Sequence, residues 1–116
     1  MKPQYTYHAK VLGVYDGDTM TVNIDLGLNI WRMEKIRLLG INTPEIRGPE
    51  RDRGLAVRDH VRFLMDEVGG DIIITTHKDR LGKYGRLLGV IYYGDHYERN
   101  LNDELVELGM AKPYMV

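Results

Sequence analysis

Two runs of alternating polar and apolar residues, separated by one tight turn, constrain the fold of this chain more than any other feature. Residues 5–15 alternate well enough for a strand, and residues 19–28 do so more clearly. Asp16, Gly17 and Asp18 lie between them. The Asp-Gly pair is a strong hairpin signal, because glycine accepts a positive φ and aspartate can bond its own backbone. The sequence therefore predicts an antiparallel hairpin near its start.

The rest of the chain predicts a third strand, a helix, two further strands and a short helix, in that order. Residues 28–39 are predicted as the third strand, which the Asn-Thr-Pro segment at 42–44 ends. Residues 49–68 carry an apolar stripe at helical spacing, and Gly69 and Gly70 end it. The remaining predicted elements are strands at 71–76 and 87–93 and a helix at 100–108 with Asn100 as its N-cap.

This order of elements predicts a mainly β, α+β fold. Five strands, with one longer helix after the third and a short helix after the fifth, favour a five-stranded antiparallel barrel of the OB type. The 116 residues are the usual size of one domain, so residues 1–116 are predicted to form a single domain. The chain has no cysteine, which leaves oxygen or histidine ligands for any bound metal.

Charge and hydropathy narrow the function classes. The formal net charge of −1 does not suggest a protein that coats nucleic acid by charge alone. Arginines concentrate at 47–62, where we interpret Arg58 and Arg62 as solvated helix surface. No apolar run approaches the roughly 20 residues needed to cross a bilayer, and no signal peptide is recognised at the start. We expect no membrane partner and a cytoplasmic location, with secretion from a longer precursor left open.

Three short motifs combine acids and arginines beside turns and strand ends. They are DGDT at 16–19, IRLLGINTPE at 36–45 and KYGR at 83–86. Carboxylate and carbonyl oxygens can hold a hard cation, and guanidinium groups can hold a phosphate diester. Each acid or arginine taken alone would more often belong to a structural ion pair at a barrel mouth. As an ordered set on the expected elements, they favour a functional site.

These motifs, in this order and over nearly the whole chain, resemble those of the staphylococcal nuclease (thermonuclease-like) family. The resemblance implies an OB barrel and calcium-dependent hydrolysis of phosphodiester bonds in DNA and RNA, with single strands favoured. By the same resemblance, Asp18, Asn42 and the Thr43 carbonyl would bind Ca²⁺, and Glu45 would position or deprotonate the attacking water. Asp16 would lie near the metal, although shaping the hairpin turn is an equally good reading of it.

The resemblance also implies a set of substrate-binding residues. Arg37 and Arg86 match the two arginines that grip the phosphate, and removing either is expected to hurt turnover more than binding. Lys83 and Tyr84 match residues placed along the terminal phosphate and backbone of the substrate. Tyr114 lies near a substrate-stacking tyrosine of the family, but its local alignment is ambiguous, so it is not part of the expected site.

The sequence departs from the family pattern in two places. Asn42 stands where the type member carries an aspartate, so a carbonyl oxygen remains but one negative charge is lost, which predicts weaker calcium binding. The long third helix of the type member has no counterpart after Tyr114. We therefore expect the barrel surface left there to be covered by a second copy of the chain or by a further segment.

A non-catalytic reading stays open beside the nuclease reading. An OB module of this kind could bind single-stranded nucleic acid or a protein without cleaving anything. Such modules typically lack several of the site residues, whereas here only Asn42 is altered. Trp31 is interpreted as a core or barrel-rim residue. The histidines have no metal-ligand spacing and are interpreted as surface or half-buried residues, namely His8, His60, His77 and His96.

Overall fold

The structure is a computed structural model that describes residues 5–78 and 87–114. Its strands and helices are β1 (Thr6–Asp16), β2 (Thr19–Asp25), β3 (Trp31–Leu38), β4 (Ile41–Asn42), α1 (Arg51–Glu67), β5 (Asp71–Lys78), β6 (Leu87–Tyr93), β7 (Arg99–Asn100), α2 (Leu101–Glu107) and β8 (Lys112–Pro113). A single 3₁₀ turn at Gly48–Glu50 leads into α1. The mainly β composition predicted from the sequence is confirmed.

Five strands close into the predicted OB-like barrel. The order around the sheet is β3-β2-β1-β5-β6, and β6 returns to pair with β3. The first four pairs are antiparallel, while the closing β3–β6 pair is parallel. A ring with an odd number of strands cannot alternate direction all the way round, so one pair must be parallel. The barrel is therefore mixed rather than purely antiparallel.

The core follows from strand alternation and the apolar stripe of α1. On β3, Ile36 and Leu38 are fully buried, while Arg37 between them points away from the core. Helix α1 adds its buried face from the side of the barrel, with the buried residues Gly54, Val57, Val61, Leu64 and Met65. Trp31 is 48% exposed at the start of β3, so of its two interpretations, core or barrel rim, the core one is wrong.

Several element boundaries differ from the sequence prediction by one to three residues, and two of them have a clear local reason. Strand β3 begins at Trp31 rather than at residue 28, because Leu28 and Asn29 take positive φ angles of 55° and 62° in the loop before it. Helix α1 begins at Arg51 because the preceding residues form the 3₁₀ turn. The predicted N-cap of α2 is confirmed, since the Asn100 side chain accepts a hydrogen bond from the Asp103 backbone N–H.

A buried amide ties the closing pair of strands together. Asn102 is 3% exposed and lies at the start of α2. Its Nδ2 donates to the carbonyl oxygens of Leu39 at 2.9 Å and Gly89 at 3.0 Å, and its Oδ1 accepts from the Ile91 N–H at 3.1 Å. One side chain therefore links the end of β3 to the middle of β6.

Neither helix of the described residues is long and apolar enough to cross a membrane.

Candidate active site

The β1–β2 turn places a buried carboxylate at the mouth of the barrel. Asp18 is 7% exposed, and its Oδ2 accepts a hydrogen bond from the backbone N–H of Thr43 at 3.0 Å. Its Oδ1 accepts from the Thr19 hydroxyl at 3.3 Å. The first two of the three sequence motifs therefore meet at this side chain, although 25 residues separate Asp18 from Thr43.

A close backbone approach makes this meeting possible. A Cβ on Gly17 would lie 2.6 Å from Cγ1 of Val57 and 2.9 Å from Cβ of Thr43. Any side chain there would push the turn away from α1 and from the segment that follows β4. The sequence indicated Gly17 only as a turn residue, and its packing role is visible only in the folded chain.

Arg37 projects from β3 into the same corner. Its Nη2 donates to Oδ1 of Asn42 at 3.1 Å and lies 3.7 Å from Oδ2 of Asp18. Its Nη1 donates to the Ile41 carbonyl at 3.4 Å. Because the side chain is only 17% exposed, the guanidinium is held in one place rather than moving freely in solvent. Four predicted site residues are thus brought together: Asp18, Arg37, Asn42 and Thr43.

The sequence prediction left Tyr114 out of the site, and the structure places it there. Strand β8 pairs with β4, so that Asn42 lies opposite Lys112, and the Tyr114 N–H donates to the Gly40 carbonyl at 2.8 Å. The guanidinium carbon of Arg37 lies 5.4 Å from the centre of the Tyr114 ring, within cation–π range. Two-residue strands such as β4 and β8 are too short to show any periodicity, which is why the sequence did not reveal this pairing.

Asp16 adds a second carboxylate next to Asp18. Burial, followed by the hydrogen bond and negative charge of Asp18, raises the pKa of Asp16 to about 6. Oδ1 of Asp16 also accepts a hydrogen bond from the Asp18 N–H at 3.1 Å. Two acids that disfavour each other's charge are an environment that a cation stabilises, because it favours both ionised forms.

Glu45 lies two residues beyond Thr43, with its side chain exposed. Its backbone is fixed by α1, because a Cβ on Gly54 would come within 2.1 Å of the Glu45 carbonyl oxygen. The sequence analysis did not single out Gly54. A signal was available, since glycine inside a helix costs about 1 kcal/mol relative to alanine and so often marks a close approach.

The donor set suits a hard cation in kind. Calcium takes oxygen ligands, and the Asp18 carboxylate, the Asn42 amide and the Thr43 carbonyl all supply them. Across the described ranges 5–78 and 87–114, no three His, Cys, Asp or Glu side chains converge on one point. A cation here would therefore depend on amide and backbone oxygens as well as on carboxylates. Lys83, Tyr84 and Arg86 lie outside the described residues.

A groove opens beside these oxygens. Its volume is about 290 Å³, close to the lower end of the range for small-ligand clefts. Asn42, Thr43 and Pro44 form one wall, and Arg53 and Lys112 add two basic residues to its lining. The acid Glu50 also lines the groove, and Asn42 connects it to the corner through its hydrogen bond with Arg37.

The fold and this corner define a class: a closed OB-like barrel with a carboxylate, an amide and a guanidinium gathered at its mouth. Residues 35–116 match the family described as "Staphylococcal nuclease homologue", and the chain belongs to that family. An uncharacterized protein of Methanocaldococcus jannaschii is 30% identical over 129 aligned residues, which cover 94% of this chain. This chain spans 60% of the length of that relative. The DGDT motif precedes the matched range, and the hydrogen bond from Thr43 to Asp18 joins it to that range.

Proposed function

We propose that this chain is a calcium-dependent nuclease that hydrolyses phosphodiester bonds of DNA or RNA, with single strands favoured. The observation that carries the proposal is the meeting of a buried carboxylate, a guanidinium and an amide oxygen at one point. Nη2 of Arg37 contacts both Oδ2 of Asp18 and Oδ1 of Asn42. Family membership supports a nuclease-type or nucleic-acid-binding domain, and the calcium dependence and the cleavage are our additions.

In this proposal the cation is held by oxygen atoms from three segments. Asp18, Asn42 and the Thr43 carbonyl would be its ligands, and bound Ca²⁺ would supply positive charge to polarise the scissile phosphate. The hydrogen bond from the Thr43 N–H to Asp18 already holds these two segments side by side before any ion arrives. Preorganisation of this kind lowers the cost of binding.

The arginines would stabilise the charge that develops on the phosphate. A guanidinium has five N–H donors, and Arg37 spends two of its groups on Ile41 and Asn42. The remaining donors would meet a phosphate oxygen. Arg86 is proposed as the second arginine, with Lys83 and Tyr84 contacting the substrate on either side of the phosphate.

Glu45 is proposed to orient the attacking water and accept its proton. Its side chain is exposed at the barrel mouth, where a water molecule has access. Its backbone is held against Gly54 of α1, so the carboxylate starts from a fixed point. Positioned bases of this kind typically contribute about 10²- to 10⁴-fold to rate.

One observation favours the alternative of a non-catalytic strand-binding module. Asn42 contributes no charge, and Arg37 already holds the two side-chain oxygens that a cation would need. If calcium cannot compete with this arrangement, the barrel would bind nucleic acid through Arg37 without cleaving it.

A cleavage assay with matched controls separates the two functions. Denatured DNA and RNA are incubated with the protein across a calcium titration, with an EGTA control. We expect Glu45→Gln to lower kcat by about 10²-fold or more and Arg37→Ala by about 10²- to 10³-fold. The control for Glu45→Gln is Glu107→Gln, an exposed acid that ends α2. The control for Arg37→Ala is Arg32→Ala, which lies on β3 and pairs with Glu34.

Calcium-dependent cleavage that falls in both site variants and survives in both controls would support the nuclease. Binding of single strands without cleavage at millimolar calcium would favour the module instead. Equal losses in the site and control variants would contradict the assignment of Glu45 and Arg37.

A further inference from the structure

The outer face of β3 leads directly from Arg37 along the barrel surface. Ile36 and Leu38 point into the core, so the residues that alternate with them point outward. The outward set, in order toward Arg37, is Trp31, Met33, Lys35 and Arg37. An aromatic ring, a thioether and an ammonium group thus lie in one line that ends at the proposed phosphate site.

Two of these side chains expose large apolar surface to solvent. Trp31 is 48% exposed and Met33 is 64% exposed. Their partners across the sheet on β2 are short and polar, because Trp31 lies opposite Asp25 and Met33 opposite Asn23. Short neighbours leave the face of the tryptophan ring accessible. A ring in this position can serve as a stacking platform.

The charge along this outer face of β3 suits an anionic chain. Lys35 lies opposite Thr21, next to Arg37 on the same side of the strand. The acid on the adjoining part of β2 is Asp25, and its carboxylate accepts a hydrogen bond from the Gly27 N–H at 2.8 Å. Lys35 therefore adds positive charge next to Arg37, whose own charge is partly offset by Asp18 at 3.7 Å, while Asp25 lies at the far end of the line.

The length of the line sets the length of the ligand. Arg37 lies six positions after Trp31, so at about 3.3 Å per residue the two lie roughly 20 Å apart. Stacked nucleotides rise about 3.4 Å each, so roughly six nucleotides span this distance. Lys35 is two residues from Arg37, or about 7 Å, which is within reach of a neighbouring phosphate.

We propose that the outer face of β3 is a track for a single-stranded polynucleotide, along which Trp31 stacks on a base and Lys35 contacts a phosphate near the one at Arg37. This inference rests on the proposed function, because it extends the binding of the same substrate beyond the Arg37 site. A single strand is the fitting occupant because its bases are available for stacking, and such stacking tolerates any base sequence. Binding through this track would favour longer strands over dinucleotides.

The chain has one tryptophan beside eight tyrosines, so emission excited at wavelengths that tyrosine does not absorb reports on Trp31 alone. The protein in EGTA is titrated with labelled single strands of two and of about 12 nucleotides, the latter about twice the estimated span. Tryptophan emission and the anisotropy of the label are recorded together, in DNA and RNA arms. We expect the longer strand to quench Trp31 emission and the dinucleotide to leave it nearly unchanged.

Variants identify which face of the strand binds. Trp31→Ala is expected to weaken binding of the longer strand about tenfold by anisotropy, and Trp31→Phe to recover most of the loss because it keeps a ring. Lys35→Gln is expected to weaken it several-fold and to reduce its salt dependence. Arg32→Gln is the matched control, since Arg32 is a cation on the same strand that alternates to the opposite side and pairs with Glu34.

Three results would overturn the track. One is a bound 12-nucleotide strand, seen by anisotropy, that leaves Trp31 emission unchanged. Another is an equal loss of binding in Lys35→Gln and Arg32→Gln. The third is an emission change that follows protein concentration without nucleic acid. That last result would make the face an interface between copies, joined to the exposed apolar hairpin tip of Leu26, Leu28 and Ile30.

Cleavage and emission separate this inference from the nuclease proposal. Length-dependent quenching by a protein that cleaves nothing would retain the track and reject the nuclease. Calcium-dependent cleavage with no emission change would support the nuclease and reject the track.

Discussion

The buried amide of Asn102 gives the sharpest stability prediction. Replacement by Asp keeps an acceptor for the Ile91 N–H but replaces the Nδ2 donor with an oxygen facing the Leu39 and Gly89 carbonyls. Replacement by Leu removes donor and acceptor together while keeping the same branching and number of heavy atoms. Gly89 keeps a second bond in either variant, because its carbonyl also accepts from the Leu39 N–H at 2.8 Å. In Asn102→Leu, the Leu39 carbonyl and the Ile91 N–H each lose the bond that Asn102 provides, whereas of these two bonds Asn102→Asp removes only the one to Leu39.

The magnitude follows from these two groups. A buried polar group that loses its partner costs about 1–3 kcal/mol, so Asn102→Leu should lower the free energy of unfolding by about 2–6 kcal/mol. Small domains have about 5–15 kcal/mol in total, so the variant would lose a large share of its stability. At about 4 °C per kcal/mol for a chain of this size, Tm would fall by roughly 8–24 °C. Asn102→Asp should cost at least as much as losing the Leu39 bond, because its charge is also buried.

The assay is equilibrium unfolding in urea at neutral pH, with the thermal melt as a second probe. Asn100→Ala is the control, because Asn100 is also an Asn at the start of α2 and makes one exposed cap bond to Asp103. That variant should cost only about 1 kcal/mol. If Asn102→Asp and Asn100→Ala lost the same small amount, the three buried bonds would not hold β3 to β6. The argument from geometry would then be refuted.

Three further outcomes are expected. Gly54→Ala should destabilise the fold by about 1–3 kcal/mol in urea unfolding and lower cleavage, because the new methyl group meets the Glu45 carbonyl; a gain of about 1 kcal/mol, as for an ordinary helix interior, would contradict this contact. Partial burial alone would raise the pKa of Glu104, but the hydrogen bond from Arg99 brings it below the ordinary value, so the stabilisation from this pair is full at neutral pH and is lost as the pH falls through the folded pKa. Arg99→Gln should therefore cost less than about 1 kcal/mol at pH 7 and still less near pH 3. A loss in urea unfolding that is the same at both pH values would contradict this. Asn42→Asp should lower the calcium midpoint of cleavage by about tenfold through the added ligand charge, and an unchanged midpoint would place the cation elsewhere.

Periodicity predicted the long elements of the fold and missed those that depend on contacts between distant segments. The alternation of residues 5–28 and the apolar stripe of α1 each extend over several turns or pleats, so their signals exceed local noise. Strands β4 and β8 have two residues each and exist because they pair with one another. The parallel closure of β3 with β6 follows from strand count rather than from any residue. No short stretch of the sequence indicates the β4–β8 pairing or the parallel closure.

The candidate site divides in the same way. Asp18, Arg37 and Thr43 were predicted from the sequence because each lies in a motif that resembles the family. The folded chain brings them within hydrogen-bonding or ion-pair distance. Gly54 was not predicted, because its role is to let α1 pack closely against the Glu45 carbonyl, where a Cβ would overlap the backbone. Tyr114 was left out because its local alignment with the family is ambiguous, and only the pairing of β8 with β4 shows that its ring lies beside Arg37. Close approach and long-range pairing are properties of tertiary structure, and a single sequence carries little trace of them.

Asn42 connects the electrostatics of the site to the proposed chemistry. Arg37 is shared between one carboxylate, on Asp18, and one neutral amide, on Asn42. An aspartate at position 42 would add a second charge-assisted bond and hold the guanidinium more tightly to the protein. Hydrogen bonds to charged acceptors are about twice as strong as neutral ones, so that added hold would compete with a phosphate for the same donors. In the proposed nuclease, the amide would therefore weaken cation binding and leave Arg37 more available to the phosphate of the substrate.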